Sequence, residues 1–197
     1  MKINTGFSSL SFLKTLKTKG AIKYEEKSIP VFVYQLDKEE DLAQIASLEK
    51  EKDWKDSYYL PDMIRYRKEY LEDGLSIYTL EDKNENILSF CLTDESPFNL
   101  KINLLETAPK LSRYNKDRVT RFIGETMITS MALVAKSKNK NLFIQGVANR
   151  PKTRDFYFSL CKFSPFGKEN AILKKRTIPK LVQSNEKHTG QKVELIG

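Results

Sequence analysis

One stretch of the sequence combines basic residues, a glycine and the expected start of a helix, which together favour phosphate binding. It consists of Arg121, Phe122, Ile123, Gly124, Glu125 and Thr126. An amphipathic helical pattern spans 119–136 and covers this stretch. The unpaired N–H groups and the positive dipole end of a helix N-terminus attract anions, and a glycine lets a phosphate approach the backbone.

Basic side chains near this stretch strengthen the prediction of an anion site. Lys116, Arg118 and Arg121 can each make charge-assisted hydrogen bonds to phosphate oxygens. The alternative is an unbroken helix that faces the core and tolerates Gly124 at a cost of about 1 kcal/mol.

A second pattern follows a predicted strand at 141–148. Asn149 is followed by Phe156-Tyr157-Phe158-Ser159-Leu160, and Phe163 comes shortly after. The two patterns together, over residues 100–163, resemble the GNAT superfamily of acyl-CoA-dependent N-acetyltransferases. In that family a loop of pattern [Q/R]-x-x-G-x-[G/A] opens a helix, and an N-(x)n-Y-x-x-L-G-F signature follows it.

The resemblance implies a mixed α/β fold, with a mostly antiparallel central sheet and helices on both faces. It also implies that residues 121–126, with Asn149, bind acetyl-CoA as a co-substrate. The pantetheine arm would then pair with the edge of a strand at 100–108. The sequence departs from the family at Thr126, where Gly or Ala is usual, and at Cys161-Lys162, where the second glycine belongs.

Tyr157 is, by the same resemblance, the general acid that protonates the departing CoA thiolate. This assignment aligns the leucine of the family signature with Leu160. Aligning the final phenylalanine of the signature with Phe163 instead places Phe158 at the tyrosine position, which leaves no acid. A phenol donates readily to a thiolate only where geometry and the local field help. The other interpretation is that these aromatic residues simply pack a helix on the sheet.

Glu106 is the candidate general base, because an amine must lose a proton before it attacks a thioester. It would act directly or through a water. Strict alternation along the predicted strand 100–108 places Glu106 on one face with Ile102 and Leu104, where a carboxylate is partly desolvated. The alternative is a glutamate at the rim of the site that pairs with a lysine. Strand N–H groups would hold the oxyanion.

An aromatic and acidic segment at 54–62 lies where the family builds the wall of its acceptor site. With Asp53, Asp56 and Asp62 it could receive a cationic amine, and the simpler interpretation is a capped loop.

The elements that must position these residues follow the order β-α-α-β-β-β-α-β-α-β. A helix between the strands at 100–108 and 141–148 indicates parallel pairing, whereas the Asp- and Asn-rich connection at 81–86 indicates an antiparallel hairpin. The predicted strands are 29–36, 75–80, 87–93, 100–108, 141–148 and a last one within 172–181. The predicted helices are 37–52, 61–73, 119–136 and 153–161.

Cysteine and histidine usage argues against several classes of site. Cys91 and Cys161 both lie in apolar stretches, as buried thiols do in a reducing, cytoplasmic compartment. His188 is the single histidine, and CxxC is absent, so neither a metal site nor a histidine-dependent triad is expected. No apolar run approaches the roughly 20 residues that cross a bilayer.

The division of the chain follows from its composition. We expect a flexible basic leader at 1–24, a GNAT-like acyltransferase domain at 25–182 and a basic C-terminal tail at 183–197. The leader fails as a secretory signal, because lysines interrupt its apolar residues.

These observations lead to one expected function with two rivals. The chain is expected to move an acetyl group from acetyl-CoA to a primary amine of a small molecule or protein, as a monomer or homodimer. The rivals are a catalytically silent GNAT-like binding module and a host-directed effector that uses its basic surface. The formal net charge of +8 allows nucleic acid as a partner without favouring it.

Overall fold

The computed structural model describes residues 14–36, 45–69, 75–111, 120–146 and 151–196. Ten strands within these ranges form one sheet. In chain order they are β1 (Lys14–Tyr24), β2 (Lys27–Leu36), β3 (Ser76–Asp82), β4 (Ile87–Glu95), β5 (Asn99–Thr107), β6 (Thr120–Arg121), β7 (Asn141–Ile144), β8 (Ser164–Phe166), β9 (Asn170–Leu173) and β10 (Glu194–Leu195).

Four α-helices accompany the sheet in the part of the chain that the structure describes. They are α1 (Leu60–Glu69), α2 (Ile123–Ser137), the short α3 (Pro151–Asp155) and α4 (Ile178–Thr189). A π-helical turn, Phe156–Leu160, continues α3. Residues 45–47 are helical and lead into a 3-10 turn, Leu48–Lys50, within the helix expected at 37–52.

The sheet is mostly antiparallel, as predicted. Its strands lie in the order β10-β1-β2-β3-β4-β5-β7-β9-β8, and β6 pairs with β1. The expected hairpin of β3 and β4 is present, and Asp82 accepts the N–H groups of Asn84 and Asn86 in its turn. Asp and Asn side chains that bond nearby backbone in this way favour tight turns.

The parallel pair is β5 and β7, with α2 as the connection between them. Their register runs from Asn99 opposite Asn141 to Ile102 opposite Ile144. The helical pattern at 119–136 and the two flanking strands therefore form the β-α-β unit that the sequence predicts.

Each face of the sheet has its own apolar core. On one face α2 and α4 cover residues such as Leu100 and Ile102. On the other face Trp54 stacks on Phe90 with ring centroids 4.9 Å apart, and Leu60 at the start of α1 packs beside them. The fold prediction, a mixed sheet with helices on both faces, is confirmed.

A β-bulge interrupts β5 in its middle. Leu92 of β4 lies opposite Leu104, but the next residue, Thr93, lies opposite Ile102, so Asn103 is the extra residue. A bulge shifts the alternation of side chains by one position. Ile102 therefore packs on the α2 side, and Leu104 packs on the opposite side.

Two domain boundaries need correction. Residues 14–24 of the expected flexible leader form β1, which lies between β2 and β10 inside the sheet. Residues 183–189 of the expected tail belong to α4, and β10 follows. The last strand, expected within 172–181, is also corrected. The strand β9 ends at Leu173, and the later part of that range belongs to α4, which begins at Ile178. The lysines of β1 obscure the strand pattern, although Ala21 and Ile22 are fully or almost fully buried.

Candidate functional site

The N-terminus of α2 lies at the end of the parallel strand pair. Phe122 caps the helix in the left-handed conformation, with φ of 68°. The Thr126 N–H donates to the Phe122 carbonyl at 2.9 Å, which is the first regular bond of the helix. The N–H groups of Ile123, Gly124 and Glu125 are therefore the ones that a helix start leaves without intrahelical partners.

The two parallel strands part beside this helix start. β7 ends at Ile144, whereas β5 continues five residues beyond Ile102 to Thr107. On its other side β5 stays paired with β4 as far as Thr107. Among the described residues, the second half of β5 therefore has one edge without a strand beside it, and an extended ligand can pair there.

Gly124 sits in the narrowest part of this region. A Cβ atom on Gly124 would lie 3.3 Å from the ring of Phe156 and 3.7 Å from Thr107 Oγ1. A side chain at this position would thus require the Phe156 ring to shift by a few tenths of an ångström. Gly124 leaves bare backbone between the helix start, the end of β5 and the π-helical turn. A backbone surface with unpaired N–H groups fits the pyrophosphate of CoA.

The side chains of Glu125 and Thr126 point into the protein interior. The Thr126 hydroxyl donates to the Ala21 carbonyl at 2.9 Å and accepts from Asn185 Nδ2 at 3.1 Å. Because this hydroxyl is already engaged as donor and as acceptor, its expected contact with the cofactor is not supported. Thr126 instead ties α2 to β1 and α4.

Glu125 pairs with His188 of α4. Both carboxylate oxygens lie 3.0 Å from His188 Nδ1, and the Glu125 side chain is 0% exposed. Burial raises the pKa of the Glu125 carboxyl, while the hydrogen bond and charge of His188, with Lys162 and Asn185, oppose the rise. The His188 ring also stacks on Phe122 at 5.1 Å and an 8° angle.

Of the remaining residues predicted to bind the cofactor, the structure describes some and not others. Arg121 on β6 is exposed, with Nη1 3.9 Å from Glu26 Oε1. Ile123 is buried, so its contribution would come from its N–H group. Lys116, Arg118 and Asn149 lie outside the described residues.

Tyr157 lies in the π-helical turn next to the residue that contacts Gly124. Its ring meets Phe156 at 5.0 Å and Phe163 at 5.8 Å, both edge to face. Phe158 is directed elsewhere, with the Arg154 guanidinium 5.8 Å from its ring centroid. Tyr157 therefore follows directly after Phe156, whose ring lies beside Gly124. Single-turn π segments occur frequently at functional sites.

Glu106 lies at the end of β5 on the face opposite Thr107. Its carboxylate accepts the Ser57 hydroxyl at 2.6 Å, the Tyr58 N–H at 3.0 Å and the Tyr59 N–H at 3.1 Å. Among the described residues, these donors and no lysine are its hydrogen-bond partners. The expectation that Glu106 shares a face with Ile102 is wrong, because the bulge at Asn103 moves Ile102 to the α2 side.

The acceptor-side segment at 54–62 wraps over the end of β5 through these bonds. Tyr58 is 77% exposed and forms an edge-to-face pair with Tyr59 at 4.9 Å. Two of the acidic side chains proposed to receive an amine already have cationic partners. Asp53 lies 3.2 Å from Lys110 Nζ, and Asp62 lies 3.2 Å from Arg65 Nη2.

Sequence reasoning missed four residues of this region: Ser57, Thr107, Phe156 and His188. Ser57 carries a signal in the sequence, since it lies shortly before the helix that Pro61 predicts, as a capping serine does. The Ser57 hydroxyl in fact accepts the Leu60 N–H at 3.0 Å. The other three come together only through tertiary contacts.

The described residues carry no group of three or more His, Cys, Asp or Glu that could hold a metal ion. None of the described helices is long and apolar enough to span a membrane. Cys91 and Cys161 are both buried, as predicted, and burial raises the pKa of the Cys91 thiol.

Comparison with known proteins gives matches at the level of structure. No family model and no curated protein matches the sequence. A SpeG spermidine N-acetyltransferase chimera from Vibrio cholerae and hSSAT matches with a TM-score of 0.54 at 15% identity, covering 76% of this chain and 98% of that one. AtaTR bound with AcCoA matches with a TM-score of 0.54 at 18% identity, covering 77% and 97%.

A third structure, a point mutant of the spermidine N-acetyltransferase SpeG from Vibrio cholerae, matches with a TM-score of 0.53 at 13% identity. It covers 75% of this chain and 95% of that chain. At such identities the likeness concerns the fold. These acetyltransferases match almost over their full lengths, and roughly a quarter of this chain lies outside each match.

Proposed function

We propose that this chain, which has the GNAT fold, transfers an acetyl group from acetyl-CoA to a primary amine. The observation that carries the proposal is the glycine-opened N-terminus of α2 beside the unpaired edge of β5. Anion-binding N–H groups and a strand edge stand together there, as a pyrophosphate joined to a pantetheine arm requires. Acetyl-CoA in one structural neighbour supports the choice of acyl donor.

The binding step uses the backbone of the α2 turn and of β5. The N–H groups of Ile123, Gly124 and Glu125 bind the pyrophosphate at the positive end of the α2 dipole. The pantetheine amides pair with the free edge of β5 beyond Ile102. Strand N–H groups near the thioester hold the oxyanion that develops on its carbonyl.

The chemical step takes place at the end of β5. The amine nitrogen attacks the thioester carbonyl carbon, a C–N bond forms, and the C–S bond breaks as the tetrahedral intermediate collapses. The amine proton passes to Glu106 through the Ser57 hydroxyl, which lies 2.6 Å from the carboxylate. The Tyr157 hydroxyl protonates the departing thiolate.

The acceptor is proposed to enter over the segment that Glu106 holds. Exposed Tyr58 and half-exposed Tyr59 present aromatic faces there, which attract an ammonium group by cation–π interaction. Spermidine, the acceptor named for two structural neighbours, is a suitable first probe.

Isothermal titration with acetyl-CoA, and then with CoA, tests the proposal. We expect binding to the parent chain and a rise in melting temperature, since a ligand specific for the native state stabilises it by mass action. Gly124→Val fills the space beside Phe156 and should abolish both effects. The exposed Lys136→Ala at the other end of α2 is the matched control.

Three results would contradict the proposal. If Gly124→Val binds acetyl-CoA as tightly as the parent, the α2 turn is not the phosphate site. If the parent binds neither nucleotide, the chain is not an acetyl-CoA-dependent enzyme, and its GNAT fold serves another purpose. Binding without transfer to any amine would identify a silent binding module.

A further inference from the structure

The first turn of α2 contains a buried acid in an unusual place. Glu125 supplies one of the N–H groups proposed to bind pyrophosphate, and its carboxylate is 0% exposed on the interior side of the same turn. An uncompensated negative charge there would repel the phosphates and is costly to bury. A hydrogen-bond donor must compensate this carboxylate if the turn is to bind an anion.

His188 is placed to supply that compensation. Its Nδ1 lies 3.0 Å from both Glu125 oxygens, and its side chain remains 30% exposed. It is carried by α4, a helix that also contributes Asn185 to Thr126 in the next position of the turn. Helix α4 therefore contacts the first turn of α2 through two neighbouring polar pairs.

The same imidazole also faces the cap residue. Phe122 adopts the left-handed conformation, which is uncommon for a residue with a bulky side chain. Its ring lies flat on His188, with centroids 5.1 Å apart. His188 thus contacts both Phe122, the cap residue of α2, and Glu125, which follows three positions later.

We propose that Glu125 and His188 form a positioning pair that fixes the anion-binding turn of α2 and satisfies its buried carboxylate. The pair neither contacts the reacting atoms nor moves a proton. His188 Nδ1 donates to Glu125, the imidazole ring supports Phe122, and the N–H groups of residues 123–125 are held ready for phosphate. The role in CoA binding rests on the function proposed above; the role in ordering the turn does not.

Two measurements on the full chain test this pair. Amide hydrogen exchange without ligand reports on order in residues 122–126 through the Thr126 amide, whose N–H is bonded to the Phe122 carbonyl, and titration with CoA reports on affinity. His188→Ala should accelerate exchange in 122–126 and weaken CoA binding, each about tenfold, the scale for one charge-assisted hydrogen bond. Exchange in the β3–β4 hairpin should not change.

Conservative variants separate positioning from general destabilisation. His188→Asn keeps a donor near the Nδ1 position and should recover part of the CoA affinity. Glu125→Gln preserves shape but removes the charge, and should also accelerate exchange in 122–126. It is the variant to study if His188→Ala proves too unstable. Lys187→Ala, which truncates an exposed neighbour on α4, is the control and should leave both readouts unchanged.

The outcomes are distinguishable. Unchanged exchange in 122–126 for both His188→Ala and Glu125→Gln would overturn the positioning pair, whatever the chain binds. Accelerated exchange in a chain whose parent form does not bind CoA would refute the proposed function and leave the ordering role standing. Failure of His188→Asn to exceed His188→Ala in CoA affinity would refute the role of the Nδ1 donor.

Discussion

The Ser57 hydroxyl donates to Glu106 Oε2 across 2.6 Å and joins the start of α1 to the end of β5. The same hydroxyl accepts the Leu60 N–H at 3.0 Å, so it also caps the helix. A proton taken from an amine at Ser57 would therefore have a direct path to the carboxylate. The bond allows two roles for Glu106. It can act as a general base that receives the proton through the Ser57 hydroxyl, and it can anchor the segment that precedes α1.

Glu106→Gln is expected to lower kcat at neutral pH by about 10²-fold or more, the scale for loss of a general base. Acetyl-CoA affinity should change little, because the α2 turn lies on the opposite face of β5. Ser57→Ala should lower kcat as well if the hydroxyl relays the proton. The pH–rate profile of kcat and titration with acetyl-CoA are the measurements.

The variant Ser89→Ala serves as a control for Glu106, since the Ser89 hydroxyl donates to the Glu106 main-chain carbonyl rather than to its carboxylate. It should keep the parent pH–rate profile. If Glu106→Gln also keeps that profile, the base lies elsewhere and Glu106 acts only as an anchor.

Tyr157→Phe is expected to reduce kcat on the order of 10²-fold with unchanged acetyl-CoA binding, because only the hydroxyl is lost. The edge-to-face contacts of the ring with Phe156 and Phe163 should survive, so the melting temperature should stay close to that of the parent. Steady-state kinetics and thermal unfolding check both expectations.

Phe158→Leu is the companion variant for this test. Under the register on Leu160 it alters packing alone and keeps kcat near the parent value. A silent Tyr157→Phe, together with a large effect of Phe158→Leu on turnover, would favour the register on Phe163.

Glu95 gives a prediction for acid unfolding. Burial acts to raise the pKa of its carboxyl, but hydrogen bonds and charges from Lys138 and Lys140 outweigh it and lower the pKa below its ordinary value of 4.5. Such a group stabilises the fold above its unfolded-state pKa and loses this contribution as the pH falls through the folded-state value. The parent should thus exceed Glu95→Gln in free energy of unfolding above pH 4.5.

The difference between parent and variant should shrink towards zero as the pH is lowered further. Denaturant titrations from neutral pH down to about pH 3 measure it. In a background of Lys138→Ala with Lys140→Ala the dependence should be lost or change sign, because burial then raises the pKa of Glu95 unopposed. A difference that stays constant over the whole acid range would mean that the two lysines do not perturb Glu95.

Local patterns predict much of this fold. The β3–β4 hairpin, β5 and α2 are recognisable because apolar spacing and turn residues act over a few positions. β1 is hidden by its lysines, whose charged ends reach solvent while the strand buries Ala21 and Ile22. Its place in the sheet depends on β10, at the far end of the sequence, and no local pattern encodes that pairing.

The sequence likewise predicts only part of the candidate site. The anion-binding turn is predictable because its chemistry resides in the backbone and in Gly124. The surroundings of Glu106 are not predictable, since a single bulge changes which residues share its face. The position of His188 against Glu125 is also hidden, because the two residues are 63 positions apart and only the packing of α4 brings them together.

The bulge in β5 absorbs one residue of the strand. Thr93 lies opposite Ile102 and Leu92 lies opposite Leu104, so Ile102 and Leu104 occupy adjacent places in the ladder with Asn103 left over. Deleting Asn103 would therefore leave Glu106 facing Ser57 and Thr107 facing Gly124. Flattening the bulge while keeping Asn103 would instead exchange the two sides, turning the carboxylate towards the cofactor helix and the threonine towards the acceptor loop. In evolution, the strand can thus lose a residue at this one place without exchanging its donor and acceptor sides.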